Sequence, residues 1–184
     1  DENDVFEYLD NYMDLAVETL MIRRNQALNC LNKFDILPFL KQDIEGETYY
    51  RIQNSTLSFG FNGLNEMLLS LFDAGIEDPD ANKFGLKCIN YMYDRAKSLT
   101  DETGLRWSVL QTPAESTAYR FATLDKEKFG DKAILQGDNG ANYYTNSSHL
   151  PVGYTDDIFT ALDIQDELQT LYTSGTVFHA FLGE

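Results

Sequence analysis

Leu105-Arg106-Trp107-Ser108-Val109-Leu110-Gln111-Thr112-Pro113-Ala114-Glu115-Ser116-Thr117 is the stretch on which the fold turns. Residues 105–110 read as a strand, and a helical pattern runs on from it to about Phe129. A strand feeding directly into a helix N-terminus is the elementary step of an α/β fold. Two readings of the junction stand side by side. In the first, Thr112 is the N-cap, Pro113 the first helical residue and Glu115 the third. That capping box explains every residue type without a ligand. In the second, unpaired N–H groups and the positive end of the helix dipole attract an anion. Ala114, Glu115 and Ser116 then supply N–H donors, Ser116 and Thr117 add hydroxyls, and Ala114 is small enough to let a phosphate reach the backbone. The Glu115 carboxylate opposes this reading unless it turns back onto the cap.

Working outward, residues 1–33 read as one long helix, with Val5, Leu9, Tyr12, Ala16, Leu20, Ala27 and Leu31 as its apolar stripe. Asp1, Glu2, Asp4, Glu7, Asp10, Asp14 and Glu18 all precede Arg23, a gradient that suits the helix dipole and reads as a solvated face. Pro38 ends this section. Residues 55–61 predict a strand, with Gly60 and Gly63 framing a sharp turn into a short helix that carries Leu64, Leu68 and Leu71 and is closed by Gly75. A loop at Asp78-Pro79-Asp80 precedes a second long helix, 82–98, with Phe84, Cys88, Met92, Arg95 and Leu99 on one face and Gly104 beyond it. Residues 130–142 are a Gly/Asp/Asn-rich loop, 143–146 a short strand, 156–170 a helix and 176–181 a final strand. Such alternation argues for parallel pairing through helical crossovers.

Composition narrows the classes. The chain has 184 residues and 30 acidic against 14 basic side chains, a net charge of −16. At 43% hydrophobic residues it can build a core, so wholesale disorder is excluded. No run of ~18 apolar residues occurs, so no membrane helix is expected. A pI near 4.3 argues against a broad basic nucleic-acid face. The acidic start at Asp1 is unlike a secretory or transit peptide. Cys30 and Cys88 are too few and too far apart for a zinc framework or a disulfide scaffold. They are expected to be small buried hydrophobes in a reducing cytoplasm.

Other motifs carry less. Gly60-Phe61-Asn62-Gly63 is a tight turn, and no Gly-Lys-Ser/Thr comes after it to make a phosphate loop. His149 beside Ser148, or with Ser116, has no acidic partner placed by spacing, so a nucleophile reading is chance. Asn146-Ser147-Ser148 matches a glycosylation acceptor, which has no meaning without secretion. His179 alternates with Phe178 and Ala180 and is expected to pack in a strand. The pairs Asp156-Asp157 and Asp166-Glu167 read as helix-end or surface charge.

Four segments in order carry a resemblance. They are Ser55-Thr56-Leu57-Ser58-Phe59-Gly60-Phe61-Asn62-Gly63-Leu64-Asn65-Glu66; Thr112-Pro113-Ala114-Glu115-Ser116-Thr117-Ala118-Tyr119-Arg120-Phe121-Ala122; Tyr143-Tyr144-Thr145-Asn146-Ser147-Ser148-His149-Leu150-Pro151; and Gly175-Thr176-Val177-Phe178-His179-Ala180-Phe181-Leu182-Gly183-Glu184. Together they resemble the anaerobic (class III) ribonucleoside-triphosphate reductases over essentially the whole chain. The resemblance implies part of a ten-stranded α/β barrel in which ribonucleoside triphosphates are reduced by glycyl and thiyl radical chemistry. It implies a glycyl radical generated by a separate activase that uses S-adenosylmethionine and an iron–sulfur cluster. It also implies a structural zinc site, an N-terminal allosteric nucleotide domain, a Mg-nucleotide substrate, a homodimer and a cytoplasmic location. By the same resemblance, Thr112, Pro113, Ala114, Glu115, Ser116 and Thr117 form the turn that receives the substrate's phosphates. Gly60, Asn62 and Gly63 border the pocket, Asn146 and His149 are weaker candidates for its rim, and Arg120 or Mg²⁺ offsets the surrounding acid.

The departures are omissions. No Arg-Val-Cys-Gly-Tyr-like radical loop and no pair of CxxC motifs occurs, and neither cysteine sits in a thiyl-loop context. No catalytic residue and no metal ligand is therefore assigned. The expectation is one partial barrel domain: a long helix over 1–33, alternating strands and helices over 55–184, with the allosteric, zinc and glycyl-radical parts elsewhere. Such a piece is expected to be inactive alone. The competing readings are a noncatalytic α/β interaction or scaffold domain, which needs no pocket, and a formate-lyase-like glycyl-radical enzyme, whose substrates carry no triphosphate.

Overall fold

Two parallel strands, each followed by a helix, occupy the centre of the molecule. The computed structural model describes residues 2–34, 36–137 and 140–180. The order is α1 (Glu2–Lys33), a 3₁₀ turn (Pro38–Lys41), β1 (Asp43–Ile44), β2 (Glu47–Thr48), β3 (Thr56–Phe59), α2 (Leu64–Phe72), α3 (Pro79–Thr103), β4 (Arg106–Val109), α4 (Glu115–Phe129) and α5 (Ile158–Gln169). The fold is α/β, with the long helices on the N-terminal side.

β3 and β4 pair in parallel, Leu57 opposite Trp107 and Phe59 opposite Val109, as the strand–helix alternation predicts. α2 and α3 form the crossover between them. Leu57, Phe59, Trp107 and Val109 point into the core, and the Phe59 and Trp107 rings stack at 5.6 Å. Alternation sends Ser58 and Ser108 to the opposite face, where their hydroxyls meet at 2.9 Å. Ser174, from beyond α5, joins both hydroxyls. The helical face is closed by Leu64 and Leu68 of α2, by Phe84, Cys88, Ile89, Met92, Ala96 and Leu99 of α3, and by Leu168 of α5.

α1 packs through Val5, Phe6, Leu9, Met13, Ala16, Val17 and Leu20. The predicted stripe is corrected at Tyr12, which is 68% exposed, while Met13 is buried beside it. Beyond Met21 no residue of α1 joins the core: Ala27 is exposed and Leu31 half-buried. Its acids are not simply a solvated face. Asp10 accepts from the Tyr91 hydroxyl at 2.7 Å, Asp14 from Arg95 at 2.9 Å, and Glu2 faces Lys87 at 4.0 Å. Exposed pairs of this kind orient α1 on α3 more than they stabilise it, at up to about 1 kcal/mol each.

Several predicted boundaries move. α2 is closed by Asp73 in the left-handed region (φ 55°), not by Gly75, which lies in the next loop and donates to Glu77. α3 begins at Pro79: Asp78 is its N-cap, accepting from Asp80 N and Ala81 N at 3.0 Å each, so the supposed loop is the first turn. Residues 143–146 form only isolated bridges, Gln136 to Tyr143 and Asn62 to Asn146. Residues 176–180 make no ladder, and Phe181 lies outside the described residues. Thr176 and Val177 are held by side chains of Gln111 and His149, and the open edge of β4 is occupied at Val109 and Gln111 by residues 173–175.

α5 is capped by Asp157, which accepts from Phe159 N and Thr160 N at 3.2 Å and from the Thr160 hydroxyl at 2.6 Å. The Thr160 hydroxyl and then these two N–H groups hold the Asp157 carboxyl below its ordinary value of 3.8. A depressed carboxyl stabilises the fold above that value and loses its effect as pH falls through the folded value. Replacing Asp157 by Asn is therefore expected to lower the melting temperature at neutral pH, where the carboxylate is charged, and to flatten the acid limb below pH 3.8, where the two profiles converge. An unchanged acid limb would show that the cap is unformed in solution.

Candidate substrate site

The junction between β4 and α4 departs from the capping box. The N-cap is Ala114, and no side chain bonds the first turn of α4. The reason is local. Pro113 sits at the centre of a three-residue turn in which Ala114 N donates to Thr112 O at 2.9 Å, so helical geometry starts only after it. Thr112 instead lays its methyl group against Gly60, where an added Cβ would lie 3.0 Å from it. The first helical bond is Ala118 N to Ala114 O. The N–H groups of Glu115, Ser116 and Thr117 precede it and meet no acceptor among the described residues. Glu115 is exposed and does not fold back onto the cap.

A cavity of about 780 Å³ opens beside this end of α4. Glu115 and Ala118 form one edge, residues 143–146 and 149–158 the floor and far wall, and Phe178, His179 and Ala180 another side. Asn146 and His149 line it. The Asn146 Oδ1 atom is buried and accepts no hydrogen bond. Thr112, Pro113, Ala114, Ser116 and Thr117 flank the cavity without lining it. Asn62 and Gly63 line a second cavity of about 530 Å³, with Glu66, Asp125 and Lys132. Tyr144 stands in the partition between the two, its hydroxyl donating to Asp125 at 2.8 Å and its phenol pushed up by burial and by that carboxylate. The 60–63 and 112–117 turns thus touch at Gly60 and Thr112 but open onto different cavities.

Segment 145–149 joins these parts, and its role escaped sequence reading. Thr145 N and Oγ1 donate to the buried Glu66 carboxylate at 3.0 and 2.9 Å, and Gly63 N donates to Thr145 O at 2.7 Å. Ser147 Oγ donates to Phe61 O at 2.9 Å and accepts from Thr112 N at 3.1 Å. Ser148 Oγ accepts from Tyr172 at 2.9 Å, and burial raises that phenol. Gln111, also buried, accepts from Val177 N at 2.9 Å and from the Thr176 hydroxyl. His149 places Nδ1 and Nε2 each 2.7 Å from a carbonyl oxygen, those of Asn146 and Val177. A neutral ring can donate to only one of them, so neither nitrogen is positioned to activate Ser148. His179 is exposed on the cavity wall, edge-on to His149 at 5.8 Å, and is not packed in a strand. The available signal was the run of small polar residues 145–148 behind two tyrosines, too short to imply a hub.

A family model described as anaerobic ribonucleoside-triphosphate reductase matches residues 1–184. The chain belongs to that family. Among curated anaerobic ribonucleoside-triphosphate reductases, that of Haemophilus influenzae is 27% identical over 96% of this chain and 26% of its own length. The reductase of Enterobacteria phage T4 is 29% identical over 82% of this chain and 24% of its own, and that of Escherichia coli K12 24% identical over 96% and 26%. The chain spans about a quarter of the length of the curated relatives it matches.

Neither cysteine borders either cavity. Cys88 is 4% exposed under the helices, and burial pushes its thiol up to about 12. Cys30 is half-buried on α1, less covered than expected. Among the described residues no three His, Cys, Asp or Glu converge as metal ligands, and no helix is long and apolar enough to cross a membrane.

Proposed function

We propose that this chain is an internal part of an anaerobic ribonucleotide reductase that converts ribonucleoside triphosphates to deoxyribonucleoside triphosphates. In this reading β3, β4 and their helices are a section of the ten-stranded barrel, forming one partial catalytic domain, and residues 112–117 receive the substrate's phosphates. The carrying observation is the set of three unpartnered N–H groups, of Glu115, Ser116 and Thr117, at the end of a parallel strand and beside a 780 Å³ cavity. Donors preorganised in this way favour an anion without reorganisation. A scaffold domain would need neither the donors nor the cavity.

Net charge does not oppose the assignment, because phosphate affinity is set locally. Mg²⁺ carried with the nucleotide and the exposed Arg120 of α4 offset Glu115. Asn146 Oδ1 offers an acceptor to a hydroxyl or amine of the bound molecule. The glycyl radical, the thiol that it oxidises and the structural zinc belong to other parts of the polypeptide, and the S-adenosylmethionine-dependent, iron–sulfur activase is a separate protein. The complete enzyme is a cytoplasmic homodimer in this reading, and residues 1–184 alone turn over no ribonucleotide.

The test is the double variant Ser116→Ala/Thr117→Ala in the complete reductase. A tenfold rise in KM, about 1.4 kcal/mol, is expected with a melting temperature within about 2 °C of wild type. Parallel losses in binding and melting would return the turn to a purely structural role.

A further inference from the structure

Ser147 occupies a position in the strand pair that its sequence neighbours do not suggest. The last direct hydrogen bond between the two chain segments of β3 and β4 is that from Leu110 N to Phe59 O at 2.8 Å. In a parallel ladder the next bond from the same side joins Thr112 N to Phe61 O, two residues further on each strand. The hydroxyl of Ser147 stands in that rung. It accepts from Thr112 N at 3.1 Å and donates to Phe61 O at 2.9 Å, so one oxygen atom replaces a direct contact and holds the strand ends apart. Ser147 is wholly buried, and its backbone is in the left-handed region (φ 48°), strain that a serine adopts only where surroundings impose it. Its carbonyl also accepts from Leu64 N at 3.3 Å, which ties it to the start of α2.

We infer that Ser147 is a positioning residue for the substrate turn. Its hydroxyl sets the separation of the 60–63 and 112–117 turns and so fixes where the unpartnered N–H groups of residues 115–117 face. The inference rests on the reading of 112–117 as the phosphate-receiving turn. Without the hydroxyl, Thr112 N–H and Phe61 C=O either close onto each other, drawing the turn toward β3, or remain unpaired. Both outcomes displace donors that act only when placed to within a fraction of an ångström.

The experiment compares Ser147→Ala and Ser147→Gly in the complete, activated reductase. Both remove the hydroxyl, but glycine also relieves the left-handed strain, so the two differ in stability and not in the missing group. Both are expected to raise the KM for ribonucleoside triphosphate about tenfold with kcat within about twofold, while glycine melts at a higher temperature than alanine. A KM that is unchanged in both, or that follows the melting temperature, overturns the inference. If Ser116→Ala/Thr117→Ala raises KM and the Ser147 variants do not, only the positioning role falls. If neither set raises KM, the phosphate reading falls and takes this inference with it.

Discussion

Truncating Leu68 to alanine is expected to cost about 3–5 kcal/mol of stability. Leu68 is 0% exposed in the middle of α2. Its neighbours leave little room for collapse. On α3 the helix backbone comes close at Gly85, where an added Cβ would lie 3.5 Å from Leu68 Cδ1, 3.3 Å from Leu64 Cδ2 and 3.7 Å from Leu168 Cδ2. Three helices thus converge on a position without a side chain, and removing the leucine leaves a void between rigid walls. The cost is then lost transfer energy plus an unfilled cavity, near the upper end of the range for this substitution. Urea titration should show a lower midpoint with an unchanged slope. A loss below about 1 kcal/mol would mean that α2 is not docked as described.

The second large effect is expected at Glu66, where replacement by alanine should cost about 2–4 kcal/mol. This carboxylate is 3% exposed. It takes two donors from Thr145 and a longer one from Asn65 Nδ2 at 3.3 Å, and it stands in the first turn of α2, where the dipole favours negative charge. Alanine strands the buried Thr145 N–H and hydroxyl, and that desolvation outweighs the average worth of the lost bonds. Glu66→Gln keeps one oxygen acceptor and should lose about half as much. Because Thr145 leads into Ser147, the alanine variant should also weaken nucleotide binding in the complete reductase if residues 112–117 receive the phosphates as proposed. Chemical denaturation of both variants decides the matter, and equal stability of Glu66→Ala and wild type would show that water replaces the carboxylate.

The parts legible in sequence were those with local physical causes. The helices of 1–33 and 64–72 and the parallel partners 56–59 and 106–109 derive from periodicity, turn residues and strand–helix alternation. Misreadings arose where a tertiary contact outcompeted a local pattern. Thr112-Pro113-Ala114-Glu115 has the letters of a capping box, yet the bond from Ala114 to Thr112 and the packing of Thr112 on Gly60 take its first residue out of the helix. Residues 176–180 have the composition of a strand, yet side chains of Gln111 and His149 hold Val177 in place of a ladder. The hub at 145–149 was invisible because the hydrogen bonds of Thr145 and Ser147 reach residues 35 to 86 positions away, and no spacing rule operates over that distance.

The parallel pairing has a kinetic consequence. Its rungs join residues 50 positions apart, so none can form until a long loop has closed. The helices rely on neighbours four residues away and can arise early. The split rung requires two strands already side by side and a third segment threaded between their ends. The 112–117 turn is therefore among the last features to assemble and the first to vanish when the pair opens. A chain caught partway would carry most of its helix and lack this turn. If residues 112–117 receive a nucleotide as proposed, one that binds only the finished arrangement pulls the population toward it by mass action. On that reading the ligand also acts on folding, protecting from proteolysis the segment on which its own recognition depends.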